Sequence, residues 1–224
     1  GTVSNRIGLF NWLLLVAALL LLNISLTFAN IWPTLGIWWN GDLSAEVAVC
    51  VLILVASNRW RRAPSLVFKR RLTIFWVVLV IARYADVTSR SLYGRDINLY
   101  WDLKLIPDVS AMFAFVAKPW VVAGVLAAAI AIPLAIYAPV RWAVGRVSEA
   151  IGNPPQRRAL GALATLVLAL SVVKTLNAEM LEYPRFAQPV TAVFARQASQ
   201  TVYELRGVSR IPLPPDVPIR SDFS

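Results

Sequence analysis

Histidine is missing from all 224 residues, and cysteine occurs once, as Cys50. Without an imidazole the chain lacks the usual general base, the commonest zinc ligand and the side chain that changes charge near neutral pH. A single cysteine excludes an intrachain disulfide, and Cys50, set inside an apolar run, reads as a small hydrophobe. Charge is scarce as well. Asp, Glu, Lys and Arg together make up 15% of the residues, where a soluble domain carries about 25%. Phosphate-loop chemistry is absent, because no Gly-Lys-Ser/Thr accompanies Gly145, Gly152 or Gly161. The serines have no histidine or well-placed lysine to activate them as nucleophiles.

What is present is apolar. Hydrophobic residues are 58% of the chain, and the mean hydropathy is +0.63. This composition implies an integral membrane protein of all-α class. Five apolar segments are long enough to cross or nearly cross a bilayer: about 9–29, 43–56, 72–85, 115–140 and 160–176. The expected architecture is a polytopic bundle of five transmembrane helices. Pro133 is expected to kink the fourth span, which helices in bilayers tolerate. The small-residue stretch from Ala123 to Ala131 suggests close helix packing there.

The net charge of +10 is distributed by topology. Arg59, Arg61, Arg62, Lys69, Arg70 and Arg71 lie between the second and third segments with no acid among them. Arg141, Arg146, Arg157 and Arg158 lie between the fourth and fifth, opposed by Glu149 alone. Ten of the 22 basic residues thus fall in two short connections, which the positive-inside rule assigns to the cytoplasm. The connection at 30–42 has no Lys or Arg but carries Trp32, Trp38 and Trp39, an outer-interface belt. The N-terminus is expected inside and the C-terminus outside. Attraction to anionic lipid head groups accounts for the first six cations, so they form a candidate lipid-binding set with anionic phospholipid as partner. Nucleic acid is not an expected partner, since no soluble fold interleaves base-facing aromatics with these cations.

The outer connection between the third and fourth segments is the richest stretch. Arg83, Arg90, Arg95 and Lys104 alternate with Asp86, Asp96, Asp102 and Asp108. Arg83 and Asp86, at i and i+3, are spaced to pair on one helix face. From Asn98 to Ile106, apolar Leu99, Leu103 and Ile106 fall at i, i+4 and i+7, which predicts a helix lying in the interface with Tyr100 and Trp101 at head-group depth. Pro107 is expected to stop it. Such a helix either caps the bundle or floors a docking site for lipid or a catalytic domain. Arg83, Asp86, Arg90, Arg95, Trp101 and Lys104 are the candidate outer-face residues. Lys174, Glu179 and Glu182 read as interfacial charges, and the acid pair Asp42/Glu46 as ordinary outer-loop charge.

The tail closes on a run with proline at 212, 214, 215 and 218, which builds neither a helix nor a central strand. It reads as an extended spacer toward a domain or partner outside this sequence. The expected division is a transmembrane domain over 1–180, an extracytoplasmic juxtamembrane helix region over 181–210, and a proline-rich linker over 211–224.

Two local patterns carry a family likeness. Tyr100-Trp101 leads to Ile106-Pro107-Asp108 after the third span, and Tyr183-Pro184-Arg185, Pro189 and a short helix over 191–205 follow the fifth. With five spans and an outward linker, this layout resembles the membrane domain of sulfatase-like envelope phosphotransferases of the alkaline-phosphatase superfamily. That group includes lipoteichoic-acid-synthase and phosphoethanolamine-transferase types and an inner-membrane cardiolipin-binding regulator. The resemblance implies a bacterial inner-membrane protein that anchors a phospholipid head-group transferase or hydrolase and gives it access to lipid. It also implies a catalytic Thr and divalent metal in a further domain, with no catalytic residue, cofactor or metal ligand in this chain. Two alternatives remain: a regulatory module for anionic lipid such as cardiolipin, or an accessory subunit of a larger membrane complex.

Overall fold

A computed structural model describes residues 2–31, 34, 36–61, 65–95, 97–176 and 184–205, with backbone alone for 2–7, 59–61, 99, 204 and 205. Seven helices and one small hairpin follow in order. Helix α1 is Thr2–Thr27; strands β1 (Phe28–Asn30) and β2 (Ile37–Trp39) come next. Then follow α2 (Ala45–Arg61), α3 (Leu66–Tyr93), α4 (Leu99–Val116), α5 (Pro119–Gly152), α6 (Pro154–Leu176) and α7 (Val190–Leu205). The all-α expectation fits. Within α1, residues Gly8–Thr27, together with α3, α5 and α6, are long and apolar enough to cross a membrane. The second expected span is the shorter α2, whose apolar part is Ala45–Asn58.

The core is built where α1, α2, α3, α5 and α6 meet. Leu15, Ala18, Leu22 and Leu26 give α1 one buried stripe. Against it lie Val51 and Leu54 of α2, Trp76 and Leu79 of α3, and Leu160 and Ala164 of α6. The contribution of α5 comes wholly from its second half: Val140, Ala143, Val144, Val147 and Ile151. At 34 residues α5 is about 51 Å long, well beyond the ~30 Å of hydrocarbon in a bilayer.

Polar contacts fix the two ends of the bundle. At one end Asn58 Nδ2 donates to Ile151 O at 3.2 Å, and Arg146 Nη2 donates to Asn11 Oδ1 at 3.4 Å. The α2–α3 junction and the α5–α6 junction therefore share that end, and with them Lys69, Arg70, Arg71, Arg141, Arg146, Arg157 and Arg158. Arg59 and Arg61 occupy the last turn of α2, with side chains outside the described residues; Arg62 lies wholly outside them. At the opposite end sit the hairpin, the start of α2, the last turns of α3, and α7.

Four expectations change. Helix α3 does not end near residue 85 but runs to Tyr93, closed by Gly94 in the left-handed conformation (φ 62°), whose N–H reaches Arg90 O. Arg83, Asp86 and Arg90 are thus helical residues, not loop residues. Pro107 does not stop α4, which continues through it to Val116. Pro107 removes one backbone donor, and the remaining helical hydrogen bonds carry α4 through it. The fourth span begins at Pro119 rather than 115, because Ala117 and Lys118 are extended and proline suits the first helical position. Finally, Ala123 to Ala131 is not packed against a neighbouring helix; all nine residues are exposed within the monomer.

The hairpin, Phe28 to Trp39 in antiparallel register, was not expected. It carries Trp38 and Trp39 with exposed side chains. Trp32 lies outside the described residues.

Candidate functional site

Among the described residues an apolar groove of about 1220 Å³ lies between α1, α3 and the middle of α5. Its walls include Ala17, Leu21, Ile24 and Phe28 of α1 and β1, Val80, Ile81 and Tyr84 of α3, and Ala128, Ala129, Ile132, Pro133, Ala135, Ile136 and Pro139 of α5. The groove exists because α5 joins the core only from Val140 onward. Pro133 and Pro139 both face it. Each proline lacks an N–H, so the carbonyls of Ala129 and Ala135, also in the wall, have no helical donor. A second groove of about 370 Å³ runs along the other side of α1, between α2 and α6, and ends at Asn23, Ser44 and Trp39.

Charged residues of α3 lie beside the end of the larger groove nearest the hairpin. Phe28 and Tyr84 stand with ring centroids 6.4 Å apart in its wall. Beside them Arg83, half-buried, donates from Nε to Phe28 O at 3.1 Å. The expected Arg83–Asp86 pair does not form. Asp86, 3% exposed, is instead paired with Arg90 at 3.3 Å, one full turn further along α3. Arg83 is held by the β1 carbonyl, which turns it away from Asp86. Asn30 Nδ2 donates to Thr88 Oγ1 at 3.3 Å and ties the hairpin to the same face of α3.

Arg95, Trp101 and Lys104 form a separate group at the start of α4. Arg95 Nη2 donates to Asp102 Oδ1 at 2.8 Å, and Asp102 Oδ2 accepts from the Asn98 N–H at 2.8 Å. Lys104 Nζ lies 5.3 Å from the centroid of the exposed Trp101 ring. The Arg95 hydrogen bond and charge hold the Asp102 carboxyl below its ordinary range. A carboxylate with a lowered folded pKa stabilises the fold at neutral pH and loses that contribution as pH falls through the lowered value. Accordingly, the Asn98 amide resonance should titrate with a midpoint below that of an ordinary aspartate. An Arg95→Gln variant should move the midpoint up; an unchanged midpoint would rule the pair out as the cause.

Two residues read as ordinary outer charge do more than that. Glu46 Oε1 accepts from Thr191 N–H at 2.8 Å and from Thr191 Oγ1 at 3.1 Å, while Oε2 accepts from Ser44 Oγ at 3.0 Å. The carboxylate therefore sits on the N-terminus of α7. Lys174 Nζ donates to Pro184 O at 3.0 Å rather than extending to solvent. Leu43 forms an isolated parallel bridge with Phe186, with Leu43 N–H to Arg185 O at 2.9 Å and Ala187 N–H to Leu43 O at 3.0 Å. Glu179 and Glu182 lie outside the described residues.

Asn23 is the site residue that sequence reading missed. Its Nδ2 donates to Asp42 O and its Oδ1 accepts from Ser44 N–H, both at 2.8 Å, which joins α1 to the start of α2. An amide inside a run of leucines was the available signal. Among the described residues no three His, Cys, Asp or Glu side chains converge as metal ligands, and the Glu46 oxygens are taken by Thr191 and Ser44.

No family model, curated protein or solved structure matches this chain.

Proposed function

We propose that this chain is the membrane-anchoring and lipid-access domain of a sulfatase-like envelope phospholipid head-group transferase or hydrolase. It sits in a bacterial inner membrane with its N-terminus in the cytoplasm. On this reading α2 is a fifth span, and α4 is the interfacial helix beside the outer head groups. The observation that carries the reading is the groove of about 1220 Å³, apolar along its walls, with Arg83 bonded to the carbonyl of wall residue Phe28 beside its hairpin end. A lipid enters sideways between α1, α3 and α5 with its tails along apolar side chains and its head group at the outer face. Helix α7 starts at that same face, latched on Glu46, and the proline-rich residues follow it in sequence. Catalysis, with its divalent metal, belongs to the partner domain that the family resemblance implies.

A second reading rests on a different observation. The basic residues of both junctions share one end of the bundle, which suits a module that senses anionic lipid such as cardiolipin at the cytoplasmic leaflet. Arg59, Arg61, Arg62, Lys69, Arg70 and Arg71 carry that reading.

Blocking the groove tests the first reading. Ala129 is exposed in the groove wall, so Ala129→Trp fills the space at a helix-propensity cost of about 0.5 kcal/mol. Phospholipid co-purifying with the protein should fall to about a tenth of the wild-type amount, a loss of roughly 1.4 kcal/mol in retention. Equal phospholipid in both proteins would overturn the lipid-access reading.

A further inference from the structure

We propose that Arg83 is the anchor for the phosphate of a lipid lying in the groove between α1, α3 and α5. The assignment rests on the lipid-access reading and adds to it the chemical class of ligand and the residue that selects it.

Three observations converge on Arg83. The first is position. Phe28 and Tyr84 are both groove-wall residues, and the Arg83 guanidinium is bonded to the carbonyl of one and adjacent in sequence to the other. The second is orientation. The Nε–H bond to Phe28 O, on a residue that itself belongs to the two-stranded hairpin, fixes one edge of the guanidinium plane. That leaves the Nη edge as a preset fork, the geometry that takes two oxygens of a phosphate at once. The third is the state of the neighbouring charges. Asp86, the nearest carboxylate on α3, is paired with Arg90, and Glu46 has both oxygens occupied by Thr191 and Ser44. Among the described residues no acceptor meets the Arg83 Nη atoms.

A half-buried cation at a membrane interface is costly unless an anion meets it. The surroundings limit what that anion is. The groove wall that Phe28 and Tyr84 form beside Arg83 is apolar, so an anion that settles there is one carried on an apolar body. A phosphate carried on an amphiphile arrives from the side, held by burial of its tails in the groove. Tail burial supplies residence and Arg83 supplies the choice of head group. Lipids that fill the groove without a phosphate gain the first contribution and not the second.

Lipid competition read by native mass spectrometry decides the matter. The full chain is delipidated in detergent and then offered an equal mixture of dioleoylphosphatidylglycerol and dioleoylglycerol, which differ in the phosphate and its head group. The wild type should retain the phospholipid over the diacylglycerol by about tenfold or more, the worth of a charge-assisted hydrogen bond. Arg83→Gln should retain both lipids about equally, and Arg83→Lys, which keeps the charge but not the fork, should fall between. Helical content by circular dichroism and elution volume should match the wild type. If the glutamine variant is misfolded, the lysine variant and the wild-type ratio still decide.

Equal retention of the two lipids by the wild type would overturn the phosphate site and leave the groove standing. Retention of neither would overturn the lipid-access reading itself. An undiminished phospholipid preference in a folded Arg83→Gln protein would remove Arg83 from the site. Displacement of the phospholipid by millimolar inorganic phosphate would assign the site to the free ion instead.

Discussion

Trp76→Ala should lower the stability of the bundle by about 3 kcal/mol. Trp76 is 2% exposed at the centre of α3 and is the largest buried side chain among the described residues. Its Nε1–H donates to Ser25 Oγ at 3.0 Å, and that hydroxyl donates onward to Leu22 O at 2.7 Å. One ring thereby fills the α1–α3 contact and satisfies its only polar atom across it. The alanine variant leaves a cavity and takes away the donor to Ser25 Oγ, whose own bond to Leu22 O stays. The estimate lies at the low end for Trp→Ala because the unfolded reference sits in lipid, which makes the transfer contribution small and leaves lost packing dominant. A loss of about 3 kcal/mol is large against total stabilities of about 5–15 kcal/mol. Trp76→Phe, which keeps most of the packing and loses the N–H, should cost nearer 1 kcal/mol. Unfolding of each variant in mixed micelles by titration with denaturing detergent measures both values. A deficit in the alanine variant below that of the phenylalanine variant would contradict this packing account.

Glu46→Ala should release α7 from the bundle while leaving the spans intact. The carboxylate receives three hydrogen bonds, two from Thr191 and one from Ser44. Two of the donors belong to the α7 N-terminus, where the helix dipole adds to the attraction. Hydrogen bonds to a charged group are worth about 1.5–3 kcal/mol. The docked face of α7 is otherwise narrow: Val190, Val193 and Gln197 are buried and Phe194 is partly so. Amide exchange over residues 190–205 should therefore speed up by about 10–100-fold, with exchange in α1 and α3 unchanged. Glu46→Gln, which keeps an acceptor without the charge, should fall between. Unchanged protection of α7 in the alanine variant would show that its apolar face alone holds it.

The sequence and the structure agree most closely where a run is long and uniformly apolar. The segments at 9–29 and 160–176 announce α1 and α6 because apolar residues dominate them, and the polar ones among them, such as Asn23 and Lys174, bond to backbone outside the helix without interrupting it. Legibility fails where a charge is satisfied sideways. Arg83, Asp86 and Arg90 look like the start of a loop, and α3 carries them because Phe28 O takes Arg83 while Asp86 and Arg90 pair along the helix. Glu46 reads as loose surface charge because its partner, Thr191, is 145 residues away. The groove is invisible for a similar reason. The alanines from 123 to 131 suit close packing, and only the course of α5 before Val140 decides that they line open space instead. Of the candidate outer-face residues, Arg83, Asp86 and Arg90 come together beside the groove. Arg95, Trp101 and Lys104 gather instead around the first turns of α4.

The central claim is that the chain holds a lipid between α1, α3 and the upstream half of α5. Electron cryomicroscopy of the protein in lipid nanodiscs, with an antibody fragment for alignment, tests it most directly. Elongated density lying against Leu21, Tyr84 and Ala129, with a compact feature at Arg83, is the expected result. A closed groove, with α5 residues 119–139 packed onto α1 and α3 and no density between them, would contradict it.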